Sequence, residues 1–410
     1  MLRLYKGLVF LIVAGVMSGT SADGIDVALV KVGGVGIDTR FELIAHHAYP
    51  YPQAVRRSVL SAMNAQQASV ADLARLNFLL GELYASAVLA AQRQSGMKVE
   101  LVGCHGQTIY HQGEPAPYLG KKTAATWQTG EGAIIAARVG APAISDFRPA
   151  DMAAGGKGAP LVPFLDYVLY RDARVGRIVQ NIGGIANLTA IPAGASPEDV
   201  IAFDSGPGNM VVDAVIERLY GKPYDRDGRA AANGTVLESA VKGLLKHSFF
   251  RRKPPKTAGR EQFGREFVAE FLRRCGRARK EDVVATATAL TARSIAEALK
   301  RFVLFCAGAK AQTQGTSNGT AEAVPLHRFL DYVVSGGGAK NRTLVNMLRT
   351  ELEPLGLTLR FSEDFGVPSV AKEAIAFALL AYETWHRRPS NLPAATGAHR
   401  PAILGKISYA

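Results

Sequence analysis

The chain has 410 residues, 48% of them hydrophobic and 20% charged, with 42 glycines, 20 prolines and a formal net charge of +13 at pH 7. At roughly 100–200 residues per domain, this length implies two domains or one large bilobal unit, and the apolar share excludes a disordered or fibrous chain. The longest apolar run, 8–16 with Met17, falls short of the ~20 residues that span a bilayer, so neither composition nor hydropathy points to a membrane.

The amino terminus admits two readings. A basic start followed by the run at 8–16 is the pattern of a secretory signal; Leu8-Val-Phe-Leu-Ile-Val13 is equally a run of β-formers ended by a glycine turn. No small-x-small cleavage site follows, and cutting near Ala14 or Ser18 would destroy the glycine-rich stretch beyond, so a strand is expected. Residues 15–26 then form the glycine-rich tip of a β-hairpin whose second arm is 27–32. Helical periodicity covers 55–65 and 71–95. A short strand at 99–103 runs into Cys104-His-Gly-Gln-Thr108, a helix covers 131–139, and 142–145 leads into Asp146-Phe-Arg-Pro-Ala-Asp151.

The pattern then restarts. Strands at 176–180, 188–191 and 200–203 surround the turn 181–187, and Asp204-Ser-Gly-Pro-Gly-Asn209 precedes a helix over 210–220 capped by Asn209. Helices occupy parts of 264–274 and 282–305, and 307–325 reads as a low-complexity surface insertion. Tyr332-Val-Val-Ser335 delivers Gly336-Gly-Gly-Ala-Lys-Asn341 to a helix over 342–352, and a helix over 369–385 closes the core. Strands alternating with helices imply α/β layering. The strand–glycine turn–strand unit occurs twice, which implies two similarly built lobes facing each other across a cleft.

Charge concentrates between Lys246 and Lys280, where twelve Lys/Arg stand against three acidic residues. No aromatic–basic interleaving, helix-turn-helix or zinc-finger spacing accompanies the strip, so it reads as a solvated helical face plus a few anion-site residues rather than a nucleic-acid footprint. Three widely spaced cysteines, Cys104, Cys275 and Cys306, form neither a disulfide framework nor a metal-ligand pattern, which points to a reducing compartment.

Phosphate binding needs close backbone approach and free N–H groups. Met17-Ser-Gly-Thr-Ser-Ala-Asp-Gly-Ile-Asp26 offers both, with two carboxylates suited to a hydrated Mg²⁺, and lacks the Gly-Lys-Ser/Thr ending of a Walker loop. Each glycine turn alone is equally a plain tight turn; three at strand ends, near Gly19, Gly183 and Gly337, favour a nucleotide. Asp204, at the end of an apolar strand, is the candidate general base, with turn capping as its other reading. His105 and Gln107 are polar groups at a strand end, or satisfied turn residues. Arg148 and Asp151 flank a proline, and the arginine suits a carboxylate clamp or a surface ion pair.

Taken together, the ordered motifs resemble the anhydro-N-acetylmuramic acid kinases, members of the hexokinase–actin–Hsp70 superfamily. They are Gly-Val-Met-Ser-Gly-Thr-Ser-Ala-Asp-Gly-Ile-Asp at 15–26, His-Gly-Gln-Thr at 105–108, Asp-Phe-Arg-Pro-Ala-Asp at 146–151 and Gly-Ala-Pro-Leu-Val-Pro at 158–163. Asn-Ile-Gly-Gly at 181–184, Phe-Asp-Ser-Gly-Pro-Gly-Asn at 203–209, Asp-Arg-Asp-Gly at 225–228, Pro-Pro-Lys at 254–256, Gly-Arg-Glu at 259–261 and Gly-Gly-Gly-Ala-Lys-Asn at 336–341 complete the set.

The resemblance implies an α/β fold of two actin/hexokinase-like (ribonuclease H-like) lobes around a central nucleotide and sugar cleft. The first lobe is expected over 1–165, joined by about 386–410, and the second over 166–385. It further implies a cytoplasmic enzyme of peptidoglycan recycling that uses ATP and Mg²⁺ to open 1,6-anhydro-N-acetylmuramic acid and phosphorylate O6, with no nucleic-acid or membrane partner; family members are often dimers. Asp204 matches the base. Gly19, Thr20, Ser21, Ala22, Asp23, Gly24, Ile25 and Asp26 match the ATP-binding stretch, joined by Asn181, Gly183, Gly184, Gly206, Gly208, Asn209, Gly336, Gly337, Gly338 and Asn341. Asp26 and Asp204 are the metal candidates, through water. His105, Gln107, Arg148, Asp151 and Glu373 are the expected sugar contacts.

This chain departs from the family pattern at Lys157, where Gln is usual, at Ala22, at Thr257-Ala258, and in the insertion at 308–324. Two other readings stay open: a kinase of the same fold acting on another anhydro or amino sugar, and a non-enzymatic, actin-like nucleotide-dependent binding protein.

Overall fold

The computed structural model describes residues 10–19, 21–304 and 329–410. Leu8 and Val9 of the expected first strand, Thr20, Cys306 and the insertion at 307–325 lie outside the described residues. Two compact units are resolved, Met1–Leu169 with Ala371–Ala410, and Tyr170–Val370.

In the first unit, strands β1 (Phe10–Ser18), β2 (Gly24–Gly33) and β3 (Arg40–Pro50) form an antiparallel meander. Strand β4 (Leu101–Tyr118) runs parallel to β1, with Gly15 opposite Gly103. Strand β5 (Lys121–Thr129) folds back on β4, β6 (Ala143–Ser145) extends the sheet in parallel, and Lys406–Ser408 closes its edge antiparallel to β6.

Period-two alternation sorts the side chains of this sheet between two helices. Ala14, Val16, Val102 and Cys104 join Leu76, Leu80 and Tyr84 of the helix Val70–Ser95 in one apolar cluster. That helix starts where the Ser69 side chain accepts the Asp72 N–H and stops at Gly96 in the left-handed region. It is the one helix among the described residues long and apolar enough to cross a membrane, and its buried stripe packs on this core.

The opposite face of β1 and β4 presents glycine, and there the helix Lys372–Trp385 lies almost on the strands. A Cβ on Gly15 would collide with the Ala374 carbonyl oxygen and one on Gly103 with that of Phe377. Expected in the second lobe, this helix therefore belongs to the first unit: the two glycines remove the side chains that would hold it off.

Two further features depart from the sequence reading. β3 and the β4–β5 hairpin fall in stretches to which the sequence reading assigns no element, and the hairpin turns at Leu119 (φ 47°) and Gly120 (φ 78°). Consecutive left-handed residues make the tight turn whose twist matches the flanking strands, and an exposed leucine in the first position hides that signal.

The second unit repeats the topology. Strands β7 (Gly176–Ile182), β8 (Ile185–Ile191) and β9 (Ile201–Pro207) form a meander, β10 (Phe329–Ser335) runs parallel to β7, and β11 (Thr358–Phe361) parallel to β10. Both sheets thus carry the order third–second–first–fourth along the chain, continued in parallel by β6 in the first unit and by β11 in the second, with β5 a hairpin arm off the first sheet's path; this is the ribonuclease H-like arrangement expected of each unit. The helix Lys280–Leu299 has fifteen of its twenty residues buried, and is apolar nearly all round because it packs on the sheet and on the helices Asn209–Tyr220 and Arg342–Leu352.

Because the Ala374 carbonyl is backbone and cannot rotate away, Gly15→Ala is expected to destabilise the protein by about 3 kcal/mol, read as a lowered unfolding midpoint in thermal or urea denaturation.

Candidate active site

In the second sheet, β7, β9 and β10 are parallel and end on one edge, where the sheet gives way to glycine turns. The carboxyl ends of such strands are where open α/β sheets take ligands. The turns lock together through the backbone. Gly208 N–H donates to Gly184 O at 2.9 Å and Asn209 N–H to Gly183 O at 2.8 Å. A Cβ on Gly208 would collide with the Gly183 carbonyl, and one on Gly336 (φ +84°) would lie 2.5 Å from Asn181 Oδ1. Gly337 and Gly338 follow beside Asn209 and Ile182. Gly206 backs onto Ser294, and Thr291 Oγ1 donates to Gly208 O at 2.8 Å, so the buried helix Lys280–Leu299 holds the turn from beneath.

Two asparagines differ from expectation. Asn209 is not a cap: the helix Asn209–Tyr220 begins after Gly208, and the Asn209 amide leans toward Ile182 O at 3.4 Å. Asn341 is the cap of Arg342–Leu352, its Oδ1 accepting the Leu344 N–H at 3.0 Å, so that oxygen serves the helix. The 225–228 motif braces the same corner. Thr343 Oγ1 donates to Gly228 O at 2.7 Å, and the Asp225 carboxylate accepts the Ala230 and Ala231 amides at 2.9 and 3.0 Å.

Asp204 stands in β9 opposite Asn187. Its N–H donates to Lys256 O at 3.0 Å, and its Oδ2 accepts the Ala258 N–H at 2.6 Å. Burial pushes the carboxyl up to about 7, with the Ala258 amide and the Lys256 cation pulling the other way and Glu261 adding to the rise. Lys256, expected on a solvated basic face, is instead only 4% exposed. Its ammonium lies 4.6 Å from the Phe249 and Phe302 ring centres and donates to Phe249 O at 3.3 Å. Burial draws its pKa down to about 8, reinforced by Arg301 and opposed by Asp204. The Pro-Pro-Lys string was the available signal, since a basic strip does not by itself reveal which cation turns inward.

The first unit gathers the remaining candidates. After β1 the chain turns through Gly19 and Ser21 to Ala22, which is buried at φ 51° and donates its N–H to Gly19 O at 3.1 Å. Ala22 and Ile25 face the core, which leaves backbone and not side chain at these positions for any ligand. Asp23 is exposed and paired with Arg56 at 3.2 Å. Asp26 is partly exposed, with His46 Nε2 3.0 Å from its Oδ1; Gly24, against Tyr49, lies between them.

His105 and Arg148 meet directly. Arg148 Nη2 lies 2.8 Å from His105 Nε2, and the histidine's Nδ1 lies 2.6 Å from Gly106 O. With the arginine donating, the ring proton must sit on Nδ1. Burial and Arg148 draw the histidine down to about 3, so the ring is neutral. Arg148 also donates through Nη1 to Gly158 O at 2.8 Å, while its buried Nε has no partner among the described residues. Glu373 opens the helix beside them. Desolvation raises its carboxyl above the usual range, against Arg148 and Lys372 and with Asp26. The structure thus brings together Asp26, His105, Arg148 and Glu373.

Two expected sugar contacts are corrected. Asp151 is fully buried, its oxygens taken by Gly158 N–H, Asn391 Nδ2 and Thr396 Oγ1 at 2.7–2.8 Å. Gln107 is equally buried, its amide spent on Ser18 Oγ at 2.7 Å and Gly19 O at 3.2 Å. Neither presents a polar atom to a ligand, because an interior dipole or charge must first be satisfied by the protein.

The family model for anhydro-N-acetylmuramic acid kinase matches residues 11–410. A Bacillus cereus protein of that name is 44% identical over 400 residues, spanning 97% of this chain and 99% of its own length. Another, from Caldanaerobacter subterraneus subsp. tengcongensis, is 44% identical over 415 residues, spanning 100% and 99%. Among solved structures, the activator of 2-hydroxyisocaproyl-CoA dehydratase from Clostridium difficile covers 92% of this chain and 96% of its own at 12% identity, with a TM-score of 0.40.

The surroundings of Asp204 fix a titration. Its carboxyl carbon, followed by ¹³C NMR, is expected to titrate with a midpoint near 7. In Lys256→Met the midpoint should move higher, because the cation that favours the ionised form is gone; a midpoint in the ordinary carboxylate range in both proteins would contradict the burial argument.

Proposed function

The chain belongs to the anhydro-N-acetylmuramic acid kinase family, and on that premise we propose that Asp204 is the base that activates water in its reaction. The enzyme is an ATP-dependent kinase of 1,6-anhydro-N-acetylmuramic acid. In the proposed sequence, Asp204 removes a proton from water as the water oxygen attacks the anomeric carbon. The bond from that carbon to O6 breaks, and O6 attacks the γ-phosphorus of ATP with departure of ADP. The products are N-acetylmuramic acid 6-phosphate, ADP and the proton taken by the base.

One observation carries the assignment. Asp204 lies midway along β9, three residues before its end at Pro207, with Oδ2 pinned by an amide while Oδ1 accepts no hydrogen bond from the described residues. Its pKa of about 7 places it where a general base works best near neutral pH. The fixed amide orients the carboxylate, and the buried Lys256 favours its ionised form.

In the second unit the bare backbone of Gly183, Gly184, Gly208 and the 336–338 turn would suit a nucleotide; in the first, the backbone of 19–26 would suit phosphates. Arg148 and Glu373 would hold the sugar, while neutral His105, buried with both ring nitrogens taken, would hold the arginine in place; Arg148 keeps donors to spare for a carboxylate. Mg²⁺ fits this donor set. No group of three His, Cys, Asp or Glu side chains forms a metal cage among the described residues, and Mg²⁺ bound with a nucleotide asks instead for one or two carboxylates plus water and phosphate oxygens. Asp26 in the first unit and Asp204 in the second are each a candidate to hold the ion through water, and the ion would screen the γ-phosphate charge. Cys104 and Cys275, both buried and unpaired, suit a reducing, cytoplasmic setting.

Product analysis in ¹⁸O-labelled water tests the mechanism: the label is expected in the anomeric hydroxyl with phosphate on O6. Asp204→Asn is expected to lower kcat by about 10²–10⁴ with ATP binding retained. An Asn variant of near-normal turnover would remove Asp204 from the role. ADP release with a different anhydro or amino sugar, and little with the muramic acid derivative, would reassign the substrate.

A further inference from the structure

The loop after β1 is tied at both ends to a buried chain of hydrogen bonds that the chemistry above does not use. Tyr84, fully buried on the helix Val70–Ser95, meets Tyr51 hydroxyl to hydroxyl at 3.0 Å, and Tyr51 donates to Ser18 Oγ at 2.9 Å. Ser18 donates to Gln107 Oε1 at 2.7 Å, with Gly24 O at 3.1 Å as a second acceptor. Gln107 Nε2 then donates to Gly19 O at 3.2 Å.

The order of donation runs one way. Each hydroxyl has one proton, and Gln107 must show its oxygen to Ser18 to leave its N–H for the Gly19 carbonyl. A flipped amide would set two oxygens against each other. Tyr84 therefore gives to Tyr51, Tyr51 to Ser18, Ser18 to Gln107, and Gln107 to Gly19. All four side chains are buried, so any broken link strands a polar group away from water.

We propose that Tyr51, Tyr84 and Gln107 are positioning residues for the triphosphate: through Ser18 they hold the Gly19 and Gly24 carbonyls inward. A carbonyl oxygen carries partial negative charge, and one swinging outward would oppose a phosphate where backbone N–H groups should face it. The inference rests on reading 19–26 as a phosphate loop.

Tyr51→Phe keeps the ring and removes the donor to Ser18. The KM for ATP is expected to rise about five- to tenfold, with the KM for the anhydro sugar changed by less than about twofold, as one lost buried hydrogen bond implies. Tyr84→Phe, one link further off, should give a smaller rise in the same direction. A purely structural role would move both KM values together, and that result, or an unchanged ATP KM, overturns the proposal. If Tyr51→Phe fails to fold, Gln107→Met cuts the chain at its other end and carries the same expectations. Gly19→Asp tests the underlying reading separately, because a Cβ there meets nothing within 4 Å. A carboxylate facing phosphates should raise the ATP KM by more than about tenfold, the fold-change of a 1.4 kcal/mol repulsion. If Gly19→Asp leaves the ATP KM unchanged, the loop reading falls and the positioning role with it; if Gly19→Asp is impaired and Tyr51→Phe is not, only the positioning role falls.

Discussion

A carboxylate drawn out of water needs fixed dipoles around it, and the arrangement of the second unit answers that need at Asp204. Desolvation alone would neutralise the group. The Ala258 amide and the Lys256 cation stop the shift near neutrality, where one side chain can be both ionised often enough to accept a proton and basic enough to want it. Lys256 is itself held at a cost: its ammonium sits among the rings of Phe203, Phe249 and Phe302 with one carbonyl for a partner. Carboxylate and cation thus perturb each other toward a common range, and the segment 254–258 supplies both the cation and the orienting amide.

The same physics explains which candidates are spent on architecture. Asp151 resembles Asp204 in sequence context, a carboxylate beside a proline and a glycine-rich stretch. Inside the protein it collects three donors and clamps the loop ending at Gly158, whose carbonyl in turn receives Arg148. Its contribution is therefore to aim the arginine. Gln107 does the equivalent for the 19–24 loop. In both units the backbone that would face a ligand is held from behind by buried polar side chains, and a fully satisfied network of that kind fixes one conformation.

Much of this was legible in the sequence. The two strand–glycine turn–strand units announced a repeated topology, and the helix over 342–352 has the bounds read for it. Asp204 was singled out because an apolar run reaches Asp-Ser-Gly-Pro-Gly, although the strand continues through that motif to Pro207. What escaped depends on contacts distant in the chain. Nothing local to Gly15 or Gly103 reveals that a helix some 270 or more residues later needs their missing side chains. The β4–β5 hairpin was obscured by its glycines and prolines and by a leucine in the left-handed turn. Asn341 and Asn209 are the same residue type beside similar glycine turns, yet only Asn341 caps a helix; which one does so depends on whether the helix starts before or after it, a shift of one residue.

Lys157, where the family pattern has Gln, would appear to add a charge beside the Arg148 loop. Its ammonium lies 2.6 Å from Glu114, an ion pair reaching across to the β4–β5 hairpin, and its own N–H donates to Thr396 O at 2.9 Å. With Glu114 largely exposed, such a pair adds only about 0–1 kcal/mol to stability, so its consequence is charge balance rather than strength. A Lys–Glu pair presents no net charge at a distance, much as a neutral Gln would, and Arg148 keeps its contacts to Gly158 and His105. The departure is therefore compensated within the same unit, where Lys157, Glu114 and Arg148 all lie.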